Sequence, residues 1–370
     1  MRSEAGMHTA RIAYCGPIAQ PGKPARGGYE SANRRLIDDL RLRGRDVREL
    51  PYPVARGTQV AKGLAYLRRF AVIALELVWQ RRHFDIFHVT TLYGHFLYPE
   101  AVLCLIAWGL GKRVLFDIRA GCFIERYGEH GRVYRALADA LLRRADLLAV
   151  EGKEYLPFVE ARRDCPIIYL PNYVSRLEVY KGSLTSPAGP IGLVFLGRIV
   201  AEKGIEQVIG ALESLLGAGV DATLEVIGDG EAGYLAQLEA RTKGLPVVWA
   251  GPLSPEAIRT RAARAHFFVF PSRHPGEGHS NALTEAMAEG LVPVCSEQGF
   301  NRSVVADAGC VLPVDASGAE YAAAIADIWQ SGAWTTLSAA AHARMVRQFT
   351  GDVVLSDLIA SYDAALVGRS

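Results

Sequence analysis

Glu277 and Glu285 stand eight residues apart in the stretch 268–290, FVFPSRHPGEGHSNALTEAMAEG. A short apolar run with strand character stops there at Pro271-Ser272, and a loop with Pro275, Gly276 and Gly278 follows. The pattern then predicts a helix opening near Ser280, with Glu285 in its first turns. Backbone N–H groups at a helix start attract anions, and a glycine-rich approach lets a ligand come close. Carboxylates in the same place accept hydrogen bonds from hydroxyls. A ligand that is part phosphate and part sugar meets both demands.

Three other loops follow apolar runs and carry suitable groups. In GRIVAEKG, 197–204, Arg198 and Lys203 flank a turn before a helix. Arginine can hold two phosphate oxygens at once and lysine adds a point charge, at a place where the helix start already favours anions. The alternative is ordinary surface charge. The GDGE turn at 228–231 offers Gly228, although Gly-Asp-Gly is common in plain turns. In GPIAQPGKPARGGYES, 16–31, the Gly27-Gly28 pair precedes a helix and could admit a phosphate or a sugar. It lacks the G-x-G-x-x-G spacing of dinucleotide sites, and a surface loop is the rival reading.

The elements that must position these loops alternate from end to end. Strands are predicted at 11–15, 47–50, 86–89, 113–118, 147–150 and 167–170. Helical patterns fall at about 30–43, 60–82, 97–110, 131–144 and 153–161. The pattern restarts after KGSLTSPAGP, 181–190, which reads as a linker. Strands then fit 192–197, 222–227, 247–250, 267–270, 292–295 and 310–312. The helices between and after them fit 203–217, 232–243, 255–264, 281–289, 318–330, 334–348 and 352–366. The expectation is an α/β chain of two doubly wound Rossmann-like domains, 1–182 and 183–351, facing each other across a cleft. A C-terminal helix, 352–370, returns to the first domain. In such sheets ligands bind beyond the carboxyl ends of the strands.

Composition narrows the class. The chain has 370 residues, enough for two domains, and a net charge of only +2. Its charge is unevenly spread: residues 1–185 hold 29 Lys/Arg against 19 Asp/Glu, and the rest hold 12 against 20. A basic N-terminal half points to an anionic partner: a membrane surface, a lipid phosphate or nucleic acid. Segments 60–83 (with Lys62, Arg68, Arg69, Arg81 and Arg82) and 126–144 are the basic amphipathic candidates. The alternative for them is sheet-packing helices with basic outer faces. The six scattered cysteines form no C-x-x-C pair and read as reduced buried thiols rather than a metal site. No signal-like or membrane-spanning run is evident, so a cytoplasmic protein is expected, peripheral to the membrane at most.

GRIVAEKG, VIGDGE, LPNYV and the 268–290 stretch together resemble the retaining nucleotide-sugar glycosyltransferases of family 4, which have the GT-B fold. The resemblance covers most of the chain and is densest over 192–313. The sub-pattern EGHSNALTEAMA is similar to enzymes that assemble bacterial surface polysaccharide, such as O-antigen or capsule. The resemblance implies an acceptor-binding N-terminal domain and a donor-binding C-terminal one. Glu277 then meets donor-sugar hydroxyls and faces the reacting carbon, and Glu285 accepts from the ribose. Arg198 and Lys203 neutralise the diphosphate, Gly27 and Gly28 lie near diphosphate and acceptor, and backbone around Ser280, Asn281 and Ala282 faces the donor. Gly278, His279 and Gly228 complete the donor-side set.

The chain departs from the family in two places. It reads Glu277-Gly278-His279-Ser280 where E-G-F-G is common, which leaves the donor sugar open. The family's His-Gly pair is replaced by FDIRAG, 116–121, so Arg119, His88 or His95 stands in for that histidine. Arg119 can hold a phosphate or a hydroxyl but cannot serve as a base, and its alternative is an ion pair with Asp117. His266 reads as structural. The implied reaction moves a hexosyl group from a nucleotide-diphosphate sugar to an acceptor such as a lipid-linked saccharide, with retention and without a metal or other cofactor. The anionic partner is then a membrane surface, and no nucleic acid is expected. The rival functions are a non-catalytic sugar-nucleotide-binding partner of an assembly complex and a GT-B sugar-nucleotide epimerase.

Overall fold

A computed structural model of the chain describes residues 9–22, 25, 27–53, 58–175 and 189–367. The linker reading at 181–190 lies outside these residues except for Gly189 and Pro190, and Lys23, Pro24 and Arg26 of the first glycine loop are likewise outside them. The chain divides into two compact units. One runs to Pro171 and resumes at Gly351; the other is Asn172–Thr350.

In the N-terminal unit six strands form one parallel sheet. They are β1 (Ile12–Gly16), β2 (Val47–Pro51), β3 (Ile86–Thr91), β4 (Arg113–Ile118), β5 (Leu147–Val150) and β6 (Ile167–Tyr169), in the order β2-β1-β3-β4-β5-β6. Every pairing is parallel. β1 and β3 are buried along their whole lengths, as expected of apolar runs covered on both faces. The connecting helices are α1 (Gly28–Leu42), α2 (Gln59–Trp79), α3 (Leu97–Gly109), α4 (Phe123–Glu129), α5 (Arg132–Arg144) and α6 (Leu156–Glu160). α4, only seven residues between Gly121 and Gly131, is too short to show a period in the sequence. The helix expected at 153–161 is a 3₁₀ turn, Lys153–Tyr155, followed by α6, which starts at Leu156 with Pro157 in its first turn.

The second unit repeats the plan with β7 (Ile191–Leu196), β8 (Ala222–Ile227), β9 (Val247–Gly251), β10 (Phe267–Phe270), β11 (Val292–Ser296) and β12 (Cys310–Leu312). Their order is β12-β11-β10-β7-β8-β9, again all parallel. Its helices are α7 (Ile205–Gly217), α8 (Ala232–Arg241), α9 (Pro255–Ala262), α10 (Asn281–Ala288), α11 (Asn301–Val305), α12 (Gly318–Gln330) and α13 (Trp334–Gln348). Leu193, Phe195, Ile209, Val226, Phe267 and Val294 lie at the centre of its core. His266 is buried there; its Nδ1 accepts from Gly192 N–H at 2.9 Å and its carbonyl from Trp334 Nε1 at 2.9 Å.

The last helix, α14 (Gly351–Val367), belongs to the N-terminal unit. Arg45 grips Asp363 through two parallel bonds of 2.5 and 2.8 Å, and Arg43 meets Asp352 at 2.8 Å. Tyr362 Oη lies 2.6 Å from His88 Nδ1 inside the unit.

Candidate functional site

Strand order locates the candidate site before any side chain is considered. In the second unit the chain leaves β7 toward β8 on one side and returns to the other side as β10. The loops after β7 and β10 therefore diverge at a topological switch point, where open α/β sheets take ligands. These loops are Gly197–Gly204 and 271–280, which carry Arg198, Lys203, Glu277 and the start of α10. The β8 loop with Gly228 lies on the other flank of β7.

The three loops are held together by close backbone approach. A Cβ on Gly228, whose φ is +148°, would stand 1.8 Å from Gly197 O. One on Gly204, at φ +76°, would stand 2.2 Å from Pro271 O. Gly228 therefore serves packing between loops, a sufficient reason for a glycine there. Ile199 N donates to Asp229 O at 2.8 Å, and Arg273 N to Glu202 O at 2.7 Å.

Lys203 and Glu277, assigned to different parts of the ligand, form an ion pair with each other. The Glu277 carboxylate is buried and also accepts from Ser272 Oγ at 2.5 Å. Ser296 Oγ in turn donates to Ser272 O at 2.6 Å, and Asn301 Nδ2 to Ser296 O at 3.0 Å. This buried line from α11 to Glu277 is not visible in the sequence, where Pro271-Ser272 marks only a strand end. Arg198 is exposed on the same loop as Lys203, with no ion pair among the described residues.

Ser280 caps α10, its Oγ accepting from Leu283 N–H at 3.4 Å. The first-turn N–H groups of Asn281 and Ala282 have no acceptor within the helix by its geometry. Glu285 is half-exposed one turn on. A turn later Glu289 is buried, its carboxyl pushed up to about 7 by burial, against the pull of Arg259, with Glu285 adding to the rise.

The His279 side chain is not presented to a ligand. It is buried, its Nε2 lies 2.8 Å from Thr284 Oγ1, and its ring meets Phe349 edge-on at 5.2 Å. Its expected contact with the donor is corrected to a structural role, leaving only its backbone near the loop. Asn172, in LPNYV, donates to His279 O at 2.6 Å and so supports the turn into α10. His274 was missed by sequence reasoning. Burial and then the charge of Lys203 hold its imidazole below the usual value, and its Nδ1 accepts from Gly276 N–H at 3.1 Å. A neutral ring with its proton on Nε2 follows.

The N-terminal unit has its own switch point between β1 and β3. Gly27 is the N-cap of α1 in an extended conformation open to any residue, and among the described residues a Cβ there would meet nothing within 4 Å. Tyr29 Oη donates to Thr91 O at 2.7 Å, tying α1 to the end of β3. Below lies Glu100, fully buried, which accepts from Tyr52 Oη at 2.8 Å and Leu92 N at 3.0 Å and bonds Thr91 Oγ1. Burial raises its carboxyl to about 7, although those three bonds oppose the rise.

Arg119 is 2% exposed and its Nε donates to Asp117 at 2.7 Å. Asp117 also bonds His88 Nε2 at 3.1 Å. Burial would raise Asp117, but Arg119 and His88 together hold it below the usual carboxylate range. Burial lowers His88 despite the nearby Asp117. Arg119 is thus engaged in a buried ion pair with Asp117, the alternative that the sequence offered for it. His95, on the 3₁₀ turn Gly94–Phe96, is the exposed one of the three stand-ins. Among the described residues, no three His, Cys, Asp or Glu side chains group as metal ligands.

Two sheets of this order and parallel sense, each with a ligand-type switch point, define a doubly wound two-domain fold. Residues 190–331 match the family "Glycosyl transferases group 1". The chain is 30% identical over 185 residues to the GDP-mannose-dependent alpha-mannosyltransferase of Mycolicibacterium smegmatis, a match covering 50% of this chain and 46% of that protein. It thus spans about half the length of that curated relative. Sucrose-phosphate synthase from Thermosynechococcus elongatus superposes with a TM-score of 0.72 at 16% identity, covering 97% of this chain and all of that one. WaaG, a glycosyltransferase involved in lipopolysaccharide biosynthesis, superposes with a TM-score of 0.63 at 15% identity over 97% of this chain and all of that one. Residues 190–331 thus resemble a glycosyl transferases group 1 domain, and the chain as a whole has the GT-B fold of these structures.

Proposed function

We propose that the chain transfers a glycosyl group from a nucleoside-diphosphate sugar to a hydroxyl acceptor with retention of configuration. The observation that carries this reading is the grouping of Arg198, the Lys203–Glu277 pair and the start of α10 at one switch point. The diphosphate fits the two cations and the first-turn N–H groups of Asn281 and Ala282, and Glu285 suits ribose hydroxyls. Glu277 suits the hydroxyls of the sugar.

In the reaction the bond between the anomeric carbon and the β-phosphate oxygen breaks, and a bond to the acceptor oxygen forms on the same face. The acceptor proton passes to the departing phosphate oxygen, so no side-chain base is required. Charge grows on that phosphate, where Arg198 and Lys203 oppose it. The reaction needs no metal on this reading, and chelation with EDTA should leave the rate unchanged.

The M. smegmatis relative makes GDP-mannose the first donor to try. The resemblance to surface-polysaccharide enzymes, together with the basic N-terminal half, favours a lipid-linked saccharide acceptor at the cytoplasmic face of a membrane. The test is a panel of GDP-, UDP- and ADP-sugars, following nucleoside diphosphate release and the anomeric configuration of the product. Donor binding without any release would favour the non-catalytic reading, and a sugar altered at one stereocentre the epimerase.

A further inference from the structure

The outer side of α2 is apolar where a helix facing water should be polar. Its inner side packs through Phe70, Ile73 and Leu77. The opposite side carries Val60, Leu64, Leu67, Ala71, Leu75 and Val78 at spacings of three and four, forming a single stripe. Leu64, Leu67 and Leu75 are 63%, 70% and 69% exposed, and Trp79 at the helix end is 86% exposed. α3 packs beside α2 and repeats the feature with Tyr98, Val102 and Leu105, all exposed. Glu100 is the only charged residue of α3, and it points into the core.

The rim of this face is basic. Arg68, Arg81 and Arg82 are exposed on and just after α2. α5, packed against α3, exposes Arg132, Arg135, Arg143 and Arg144. The one acid of α2, Glu76, pairs with Arg69 at 3.1 Å. These arginines are not the helices' whole outer face, as the sequence alternative had it; they border an apolar centre.

From this we infer that the α2–α3 face docks on an anionic lipid bilayer, its leucine stripe seated below the headgroups and its arginines at their phosphates. A tryptophan at the end of the stripe suits the interface between headgroup and acyl chain. A second copy fits less well, because a twofold contact through the same face would set one arginine rim against the other. No helix among the described residues is long and apolar enough to cross a membrane, so α2 lies on the surface rather than spanning it. The inference deepens the lipid-linked acceptor reading and rests on it for its purpose, but the contact itself needs neither donor nor acceptor.

The test is flotation of the full chain with vesicles of phosphatidylcholine alone or with a third phosphatidylglycerol, in low and high salt. Binding should favour the anionic vesicles and persist in part in high salt, because the stripe is not electrostatic. The L67D/L75D double variant should bind at least ten-fold less while retaining its melting temperature and its nucleoside diphosphate release. In the wild type, vesicles should shift the fluorescence to the blue, and W79F should remove most of that shift. This second readout stands even if the double variant does not fold. Equal binding by L67D/L75D, no binding by the wild type, or a wild-type dimer that the double variant dissolves would each overturn the inference. Lipid binding without glycosyl transfer would leave it standing and sink the enzymatic reading alone.

Discussion

Lys203 and Glu277 are 74 residues apart in the sequence, yet the ammonium of one is paired with the carboxylate of the other at the end of β7 and β10. Each was expected to meet a different part of the donor. Their pairing means that Lys203 already has an anion to neutralise before any phosphate arrives. It also fixes the Glu277 carboxylate in place, together with the Ser272 hydroxyl.

Lys203→Met should therefore do two things: remove a cation from the phosphate site and leave a buried carboxylate without its counter-charge. Turnover should fall by roughly 2.7–4 kcal/mol, about 10²–10³-fold. Glu277→Gln alone should also be slow. The two together should lose less than the sum of the single losses, since the residues touch. Nucleoside diphosphate release at saturating donor measures all three, and strict additivity would show that the pair does not act as a unit.

Arg198→Ala separates charge from structure. The side chain is exposed and ion-pairs with nothing among the described residues, so unfolding should shift by no more than about 0.5 kcal/mol. Turnover should fall ten-fold or more. Glu285→Ala, half-exposed on α10, should weaken donor binding instead, measured by titration with the nucleotide sugar. Wild-type kinetics in both variants would move the site elsewhere.

Asn172→Ala removes the donor to His279 O, a buried carbonyl at the turn into α10. An unsatisfied buried acceptor costs about 1–3 kcal/mol. The loss should appear as a lower melting temperature together with weaker donor affinity. Normal affinity in a destabilised protein would separate this turn from the site.

Glu100 predicts a pH effect of definite sign. Its folded value, about 7, lies above the ordinary 4.5. The folded state therefore holds the proton more tightly, and its stabilising contribution is full below about 4.5 and lost as pH rises toward 7. At about 1.4 kcal/mol for each pH unit, the loss is at most roughly 3 kcal/mol. Glu100→Gln resembles the protonated form and should match the wild type near pH 5 and exceed it in melting temperature near pH 8. His88, lowered by burial, acts in the opposite sense below about 6.5, which is why the comparison is made between variant and wild type rather than along one curve. A gap between the two that does not grow with pH would refute the assignment.

Much of the architecture was legible because short apolar runs and amphipathic segments alternate, and that alternation leaves little choice for a parallel sheet. All twelve strands stand within a residue or two of their expected places. The placement of Arg198, Lys203 and Glu277 on loops after strands, and of Glu285 on the helix that follows, was also legible from the same alternation. α4 was not, being too short to display a period. Ser272 was not, because its hydroxyl reaches Glu277 only when the 271–280 loop folds back, and Ser296 of β11 reaches its carbonyl only once β10 and β11 lie side by side.

By itself the sequence determined the elements, their alternation and the chemical types in each loop, because these follow from local pattern and from what each side chain can donate or accept. Only the tertiary structure decided which of those groups meet. The strand order puts Lys203 against Glu277, and packing turns His279 toward Phe349. It also leaves the second apolar side of α2 facing outward. The physical reason is the same in each case. Burial and pairing depend on neighbours far away in the chain, and helical periodicity says where a side chain points but not what lies opposite it.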